Sequence, residues 1–458
     1  MIDLTQTVSL ESLQKKIDHL WQLSAAKIKA IEKNFDVSKG APVFTVGGKY
    51  STRGWTEWTQ GFQFGSALLQ FDADGNQEFL EIGRKHTITK MVPHITHTGV
   101  HDHGFNNVST YGNLLRLMTE GKIPQNEWER EFYTLALKCS GAVQASRWTT
   151  IQNGEGYIYS FNGPHSLFAD TIRSLRSLAV AHQLGHFLSA ENDVKISLLE
   201  RLIQHARTTA DYIVFYGDGR DGTDVRGRVA HEAIFNLNDG NFRCPNSQQG
   251  YSPFTTWTRG LAWCICGFAE ELEYIASLEN SEFGDFGGYE QVEAMMLKAA
   301  RATCDFYIEN TPSCGIPYWD TGAPTLHKLG DYLNKPADPY NAHEPVDSSA
   351  AAIAAQGLLR LGRFLNQKEP TSGDQYWQAG LKVLDSLFSE PYLSEDPGHE
   401  GLILHSVYHW PNRWDHVPAG QSVACGESTM WGDYHAREAA LYLQRIIKEE
   451  RYLKFYLD

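Results

Sequence analysis

The sequence predicts an all-α protein folded as an (α/α)6 barrel, in which six helical hairpins form a closed toroid. Apolar residues recur at three- and four-residue spacing along most of the chain, which is the period of amphipathic helices. About twelve segments show this spacing, and strand-like runs such as "GYIYSF" and "GLILHSVYHW" are few and short. No Gly/Ser-rich or Pro-rich linker divides the chain, so we expect residues 1–458 to form a single domain.

The predicted helices follow one another along the whole chain. The first is "LESLQKKIDHLWQLSAAKIKAIEKNF", with Leu13, Ile17 and Leu20 on one stripe, and we expect residues 1–45 to form this N-terminal helix and a lead-in. The others lie near residues 58–70, 77–91, 106–120, 127–145, 168–187, 197–215, 256–277, 290–308, 348–365, 374–389 and 428–447. Six inner and six outer antiparallel helices close economically into a toroid, because each hairpin buries its stripe against its neighbours.

Two long loops, 217–255 and 309–347, are rich in Gly, Pro, Asp, Asn and aromatic residues. Long loops are uncommon in compact domains and often carry function. In the predicted barrel every hairpin places one loop at the same mouth, so a site can be assembled there from residues far apart in sequence.

The composition restricts the class of partner and the compartment. The net charge of −15 argues against a nucleic-acid partner or an anionic membrane, because both need a basic surface. No stretch is long and apolar enough to span a bilayer, and the N-terminus has no signal-peptide pattern. The seven cysteines are scattered without C-x-x-C spacing, which suits a reducing compartment. We therefore expect a cytoplasmic protein; a periplasmic location would require a signal peptide ahead of this sequence. The oligomeric state is not predicted.

The segment "HDHGF", His101–Phe105, places a carboxylate between two imidazoles and is followed by a helical pattern. Three explanations fit: a metal site, an acid/base site, or a helix cap formed by Asp102. A metal would require three or four converging ligands, and no H-E-x-x-H pattern occurs in the sequence. We predict no metal site, and the other two explanations stay open.

A second aspartate, Asp170, lies near the start of the predicted helix 168–187. It could simply be a first-turn aspartate favoured by the helix dipole. If the barrel brings Asp102 and Asp170 to one mouth, however, they form a carboxylate pair of the kind used in glycoside chemistry, with one member protonated. Burial and a neighbouring negative charge would raise one pKa, whereas a helix N-terminus would lower that of Asp170.

Aromatic and polar residues suited to an anionic sugar form further clusters. On a helix Arg259 and Trp263 share one face, so that Arg could grip a carboxylate while Trp stacks on a sugar ring. Trp58 and Phe62 are also four residues apart. Core packing explains each cluster equally well when it is taken alone. The candidate binding residues are Trp58, Phe62, His231, Gln249, Trp257, Arg259 and Trp263.

Several signatures occur in a fixed order between about Tyr50 and Tyr442: "WTQGF", "HDHGF", an Asp that opens a helix at Asp170, "H…QGY…WTRGLAW", "DSSAAAIAA" and "WGDY". In this order they resemble the unsaturated glucuronyl hydrolases, glycoside hydrolase family 88. The resemblance implies an (α/α)6 barrel, in agreement with the helix count. It also implies an enzyme without a cofactor that removes the 4,5-unsaturated uronic acid from the non-reducing end of lyase-generated oligosaccharides, by hydration of the C4=C5 vinyl ether.

The resemblance also implies roles for individual residues. Asp170 would protonate C4 and then activate water for attack at C5, and Asp102 would be the partner carboxylate that tunes it. Ring stacking would fall to Trp58, Phe62, Trp257 and Trp263. Arg259, His231 and Gln249 would hold the uronate carboxylate, the hydroxyls or the water.

The sequence departs from the family pattern at His103, where an apolar residue is usual, and at Phe161, where Trp is common. The segment between Asp170 and His231 is longer than usual, and loop 396–427 contains no recognisable sulfate-binding motif. Three alternatives stay open: an unsaturated rhamnogalacturonyl hydrolase of family 105 with pectic substrates, a sugar epimerase that relies on histidine, and a non-catalytic carbohydrate-binding toroid.

Overall fold

A computed structural model describes residues 1–54 and 57–457. The α-helices in these ranges are α1 (Leu10–Asn34), α2 (Gln60–Asp74), α3 (Gln77–Lys90), α4 (Val92–Ile95), α5 (His103–Asn106), α6 (Asn113–Thr119), α7 (Glu127–Ser146), α8 (Thr171–Ser174), α9 (Arg176–Gln183), α10 (Leu198–Tyr212), α11 (Thr258–Ile275), α12 (Tyr289–Asn310), α13 (Ser348–Lys368), α14 (Asp374–Leu387) and α15 (Met430–Ile447).

These helices form two concentric rings, which confirms the predicted (α/α)6 barrel. The inner ring runs through α2, α5–α6, α8–α9, α11, α13 and α15, and it closes because α15 packs against α2. The outer ring consists of α1, α3, α7, α10, α12 and α14, each packed on the inner helices beside it. The N-terminal helix α1 is thus a member of the outer ring. A single domain over the full chain stays a prediction.

The inner helices are buried on almost every side, which their sequences permit. Every residue of α11 is buried, as are the alanines of "SSAAAIAAQG" in α13. Gly357 of α13 lies against the backbone of Ile265 in α11, where a side chain would collide with the Ile265 carbonyl oxygen. Small residues therefore allow the two inner helices to approach closely.

Two predicted helices differ from expectation. The segment predicted as 106–120 begins earlier, at His103, and a π-helical turn at Val108–Gly112 separates α5 from α6. The segment predicted as 168–187 begins later, at Thr171, because Ser166–Phe168 is held extended in a small sheet. Both differences place irregular backbone at the mouth end of the inner ring.

Short strands lie in the segments that connect the helices. They are β1 (Phe44–Val46), β2 (Lys49–Ser51), β3 (Trp148–Thr150), β4 (Gly156–Ile158), β5 (Ser166–Phe168), β6 (Phe187–Ser189), β7 (Lys195–Ser197), β8 (Glu232–Phe235) and β9 (Phe242–Asn246). They pair as β1–β2, β3–β4, β5–β8–β9 and β6–β7. The prediction of a strand in "GYIYSF" is confirmed by β4.

The prediction of a strand in "GLILHSVYHW" is wrong, since only an isolated bridge between Leu393 and Ile403 forms there. The carboxylate of Asp433 accepts the backbone N–H groups of Leu402 and Ile403, which removes two donors that a strand would need. No helix in the described part of the chain is long and apolar enough to cross a membrane.

Candidate active site

A cavity of about 750 Å³ opens at the mouth of the barrel. The segments that enter the inner helices contribute most of its wall, because the inner helices all begin at this end. Its described lining residues are Gly54, Glu57, Trp58, His97, Gly99, Val100, His101, Asp102, Phe105, Phe161, Phe168, Asp170, Gln248, Gln249, Trp257, Arg259, Trp263, Tyr408, His409, Asn412 and Trp414. The volume lies within the range typical of small-molecule sites.

Asp102 reaches the cavity because α5 lies very close to α8. Gly104 is packed against Ser174, where a side chain would collide with the Ser174 carbonyl oxygen. The Ser174 hydroxyl donates to the His101 carbonyl at 2.7 Å and accepts the Gly104 N–H at 3.0 Å. The Asp102 side chain makes no capping hydrogen bond, so the cap explanation for this residue is wrong. The glycine of "HDHGF" therefore allows the inner helices α5 and α8 to approach closely.

The small sheet β5–β8–β9 positions Asp170 at the cavity. Strand β5 pairs with β8, and the Ala169 N–H donates to the His231 carbonyl at 2.9 Å. The Asp170 side chain likewise makes no capping hydrogen bond, and α8 spans only Thr171–Ser174. The structure thus does not support a first-turn dipole role for this aspartate.

His101 lies between the two aspartates and joins them. Its Nε2 donates to Asp170 Oδ1 at 3.1 Å and lies 3.8 Å from Asp102 Oδ1. All three side chains are buried, with His101 only 2% exposed. The structure therefore brings the two predicted carboxylates together around one imidazole.

The two carboxyls have different affinities for protons. Burial, with the nearby Asp170 charge, raises the pKa of Asp102 to about 6, although His101 opposes the shift. Burial also acts to raise the pKa of Asp170, but the hydrogen bond and charge of His101 outweigh it and hold that pKa below its ordinary value. Burial lowers the pKa of His101, and the two carboxylates reverse this, so that it lies above its ordinary value. One pKa is raised, as expected, but it is that of Asp102, and the imidazole rather than a helix terminus lowers the other.

Arg259 lines the cavity but is already engaged by the protein. It is 1% exposed, its Nη1 contacts Asp347 Oδ2 at 2.7 Å, and its Nη2 donates to Gln249 Oε1 at 2.8 Å. It also donates to the carbonyls of Val407 and Tyr408. The structure therefore favours a positioning role for Arg259, which ties Gln249 and the 407–408 backbone together, over the expected clamp on a uronate carboxylate.

His231 lies behind the cavity wall, packed between Phe168 and Trp257 with ring centroids 4.7 Å and 4.6 Å away. Its Nδ1 accepts the backbone N–H groups of Gln248 and Gln249, at 3.0 Å and 3.2 Å. Burial lowers the pKa of His231 to about 3, so the ring is neutral and Nε2 carries its hydrogen. Nε2 is buried and has no hydrogen-bond partner among the described residues.

Three of the four predicted stacking residues line the cavity: Trp58, Trp257 and Trp263. Phe62 does not. It is fully buried behind the wall, with its ring 5.7 Å from Phe105 and 4.8 Å from Tyr434. Trp58 lies in the 3-10 turn Glu57–Thr59 that leads into α2, whereas Phe62 lies in the first turn of α2 and packs in the core.

One wall of the cavity, the segment 405–416, contains none of the candidate residues chosen from the sequence. Tyr408, His409, Asn412 and Trp414 of this segment line the cavity. Asp415 holds it in shape by accepting the backbone N–H groups of Tyr408 and His409. The density of aromatic residues in "YHWPNRW" was the available signal, although its position at the mouth depends on the fold.

Within the described residues, no group of three or more His, Cys, Asp or Glu side chains is placed to hold a metal ion. His103 belongs to the scaffold, because its ring nitrogens contact the Ser140 hydroxyl and the His97 carbonyl oxygen. In the cavity the carboxyls of Asp102 and Asp170 thus meet one imidazole, that of His101, beside an aromatic wall.

The chain is similar in sequence to known proteins. An unsaturated glucuronyl hydrolase of Formosa agariphila is 25% identical over 414 residues, covering 85% of this chain and 81% of that relative. An unsaturated chondroitin disaccharide hydrolase of Streptococcus pyogenes is 23% identical over 413 residues, covering 84% and 81%. No protein-family model matches the chain.

Solved structures of the same class of enzyme are similar to this chain in fold. The unsaturated glucuronyl hydrolase of Bacillus sp. GL1 superposes with a TM-score of 0.70 at 22% identity, covering 97% of this chain and 98% of that one. A heparin-specific unsaturated glucuronyl hydrolase superposes with a TM-score of 0.71 at 18% identity, covering 96% and 99%. In sequence and in fold, the chain is similar to the unsaturated glucuronyl hydrolases, as its motifs predict.

Proposed function

We propose that this chain is a glycoside hydrolase that removes a 4,5-unsaturated uronic acid from the non-reducing end of lyase-generated oligosaccharides. The observation that carries the proposal is the pair Asp102 and Asp170, buried around His101 in an aromatic-walled cavity. A carboxyl that can both give and take a proton is what hydration of a vinyl ether requires.

In the proposed reaction Asp170 gives its proton to C4 of the C4=C5 bond, and positive charge develops on C5 and the ring oxygen. Water adds to C5 and its proton goes to Asp170, so the carboxyl ends the cycle as it began it. The resulting hemiketal opens and releases the neighbouring sugar. Asp102 contributes negative charge beside the developing cation and accepts hydrogen bonds from ring hydroxyls.

The surrounding residues are suited to a uronate. Trp58, Trp257 and Trp263 offer aromatic surface for a sugar ring, and His231 behind this wall fixes the backbone that carries Gln249. Gln249 is oriented by Arg259 and His231, which leaves its amide nitrogen as a donor for a hydroxyl or carboxylate. Binding of the anionic substrate beside Asp170 would raise the pKa of that carboxyl and so favour its acid form.

The names of the sequence relatives favour glycosaminoglycan fragments over the pectic substrates of the rhamnogalacturonyl alternative. A structure of a Streptococcus agalactiae unsaturated glucuronyl hydrolase variant contains the disaccharide dGlcA-GalNAc6S, and we propose that unsaturated disaccharides of this type are the ligands here. We also propose a cytoplasmic location, which the unpaired state of the seven cysteines supports.

The test follows the ultraviolet absorbance of the conjugated C4=C5 uronate in lyase-generated disaccharides from chondroitin, heparin and hyaluronan, with a pectic disaccharide as control. We expect absorbance to fall with at least one glycosaminoglycan disaccharide and to stay constant with Asp170→Asn. Loss with the pectic substrate alone would favour the family 105 alternative. Constant absorbance with every substrate would refute the proposal and favour an epimerase or a binding protein.

A further inference from the structure

The ring of His101 offers one hydrogen-bond donor to two carboxylates. Nε2 is 3.1 Å from Asp170 Oδ1 and 3.8 Å from Asp102 Oδ1. Carboxylates only accept, so Nε2 carries a hydrogen. The other ring nitrogen, Nδ1, is buried and has no hydrogen-bond partner among the described residues. The structure therefore shows a single N–H group bonded to one carboxylate and close to the other.

The ring of His101 lies between two phenylalanines, and its backbone is held by hydrogen bonds. Phe161 stacks on it at 6.2 Å with an interplanar angle of 17°, and Phe168 meets its edge at 5.5 Å. The backbone is fixed by Gln144 and Ser174, which both donate to the His101 carbonyl, at 2.9 Å and 2.7 Å. A slight turn of the ring between the two phenylalanines would exchange the near and the far carboxylate.

We propose that His101 decides which of the two carboxyls carries the proton, keeping Asp170 ionised in the empty site and passing the acid role to it when the N–H group turns towards Asp102. The inference rests on the proposed function of the same site. In the free enzyme the proton stays on Asp102 below about pH 6, because burial raises the pKa of this carboxyl to about 6. When substrate enters, the N–H group moves to Asp102 and stabilises its ionised form.

The proton transfer is balanced. Asp102 loses a proton as Asp170 gains one, and His101 keeps its Nε2 hydrogen throughout. Asp170 then gives this proton to C4 and takes one from the water that adds to C5. After product release the N–H group returns to Asp170, and the proton returns to Asp102.

The other charged groups around His101 leave this assignment intact. Arg147, at the end of α7, acts on both His101 and Asp102, favouring the neutral ring and the ionised carboxyl. Burial lowers the pKa of His205 on α10 and of His231, which precedes β8, to about 3, so both rings are uncharged near neutral pH. Arg259 acts on Asp170 in the same direction as His101, but its guanidinium is paired with Asp347. Glu57 opposes ionisation of Asp102 only weakly.

The test compares His101→Leu, which removes the donor, with His101→Gln, whose amide can still donate. The readout is the pH dependence of kcat/KM, which reports protonation of the free enzyme. In His101→Leu we expect the alkaline limb to move about one pH unit higher, because an N–H group no longer favours the ionised carboxylates. His101→Gln should keep the limb near its wild-type position. His103→Gln, whose ring contacts Ser140 and His97 instead, is the matched control and should leave the limb unmoved.

A uniform loss of rate in His101→Leu, with the limb unmoved, would overturn the proposal and leave His101 a structural residue. A second readout does not need turnover: infrared titration of the protonated-carboxyl band in the free enzyme. We expect one buried carboxyl to titrate near pH 6 and to vanish in Asp102→Asn, and His101→Leu to shift it upwards. If wild type consumes no unsaturated disaccharide but the titration behaves as stated, the proposed function fails while the role of His101 in the pair stands. Titration near pH 6 that vanishes in Asp170→Asn instead would refute the role of His101.

Discussion

Two buried clusters of charge lie near the short helix α8 and differ in their balance. In the deeper cluster, Arg173 and Arg176 meet Glu270 and Glu438, with Arg173 contacting the two glutamates at 2.8 Å and 2.7 Å. Arg176 completes the cluster at 3.3 Å from Glu438 and 3.7 Å from Glu270. In the cluster at the mouth, Asp102 and Asp170 share one imidazole. Asp170 and Arg173 are only three residues apart, so one short segment enters both clusters.

The difference in balance separates structure from chemistry. In the deep cluster each charge has an opposite partner, which raises the pKa of Arg173 and lowers that of Glu438 despite burial, so both stay charged at any working pH. At the mouth two carboxyls compete for one donor, and burial raises the pKa of Asp102 to about 6. A proton can therefore move at the mouth under conditions in which the deep cluster is fixed.

The largest effect is expected from Asp170→Asn. The amide keeps the size of the side chain but can neither give a proton to carbon nor take one from water. We expect turnover of an unsaturated disaccharide to fall by about 10⁴-fold, the upper range for a general acid–base group. The thermal unfolding temperature should fall only slightly, because the amide oxygen of Asn still accepts the His101 Nε2 hydrogen, although the charge that His101 stabilises is lost. Turnover within a few-fold of wild type would show that Asp170 is not the acid.

The matched change in the deep cluster is Glu438→Gln. It leaves Arg173 and Arg176 with too little negative charge in a place where neither has access to water. We expect the free energy of unfolding to fall by about 3 to 4 kcal/mol, the cost of breaking a buried ion pair. Denaturant unfolding measures this, and kcat of the folded fraction should stay within a few-fold of wild type. A loss below about 1 kcal/mol would mean that the two clusters do not differ as described.

The sequence predicts the barrel well because apolar residues recur at helical spacing in nearly every helix of the two rings. It fails where tertiary contacts override that period: β5 delays the start of α8, and Asp433 takes the N–H groups of the expected strand at 401–410. Both carboxylates were predictable as residues that open helices. Their meeting was not, because it depends on the contact between Gly104 and Ser174.

Contacts with residues distant in sequence determine where the other candidate side chains lie. Arg259 looks like a free cation beside tryptophans, but Asp347, which caps α13, occupies its guanidinium. Phe62 shares the helical spacing of Trp58 but faces the core. Spacing within one helix gives the face that two residues share; it does not give what lies opposite that face.

A smaller effect, of opposite sign, is expected from Asp102→Asn. The pKa of Asp102 is raised on folding, so wild type loses stability as pH rises from about 4, where the unfolded carboxyl ionises, to about 6, where the folded one does. The amide does not titrate. We expect the variant to be more stable than wild type by about 3 kcal/mol at pH 8 and by less at pH 5. Denaturant unfolding at both pH values measures the difference. Equal stability at pH 8 would mean that an opposite charge balances the ionised carboxyl of Asp102, as in the deep cluster.

The smallest effect concerns the aromatic wall, where binding can be separated from proton chemistry. Two tryptophans of the segment 405–416 each carry an arginine on their ring: Arg53 lies 3.7 Å from the centre of Trp414, and Arg413 lies 4.1 Å from that of Trp410. Only Trp414 lines the cavity. Trp414→Leu should raise KM about fivefold, equivalent to about 1 kcal/mol of lost stacking, with kcat and its pH profile unchanged.

Trp410→Leu is the control for this change, because it removes the same ring from the same segment at a buried place outside the cavity. It should lower the unfolding temperature and leave KM within twofold, about 0.4 kcal/mol. If Trp414→Leu instead shifts the pH profile, the wall and the carboxyl pair are coupled, because a stacking residue that only binds the sugar has no means to change the pKa of Asp102 or Asp170. If both variants raise KM equally, the segment acts through its overall shape, and Trp414 does not stack on the neighbouring sugar.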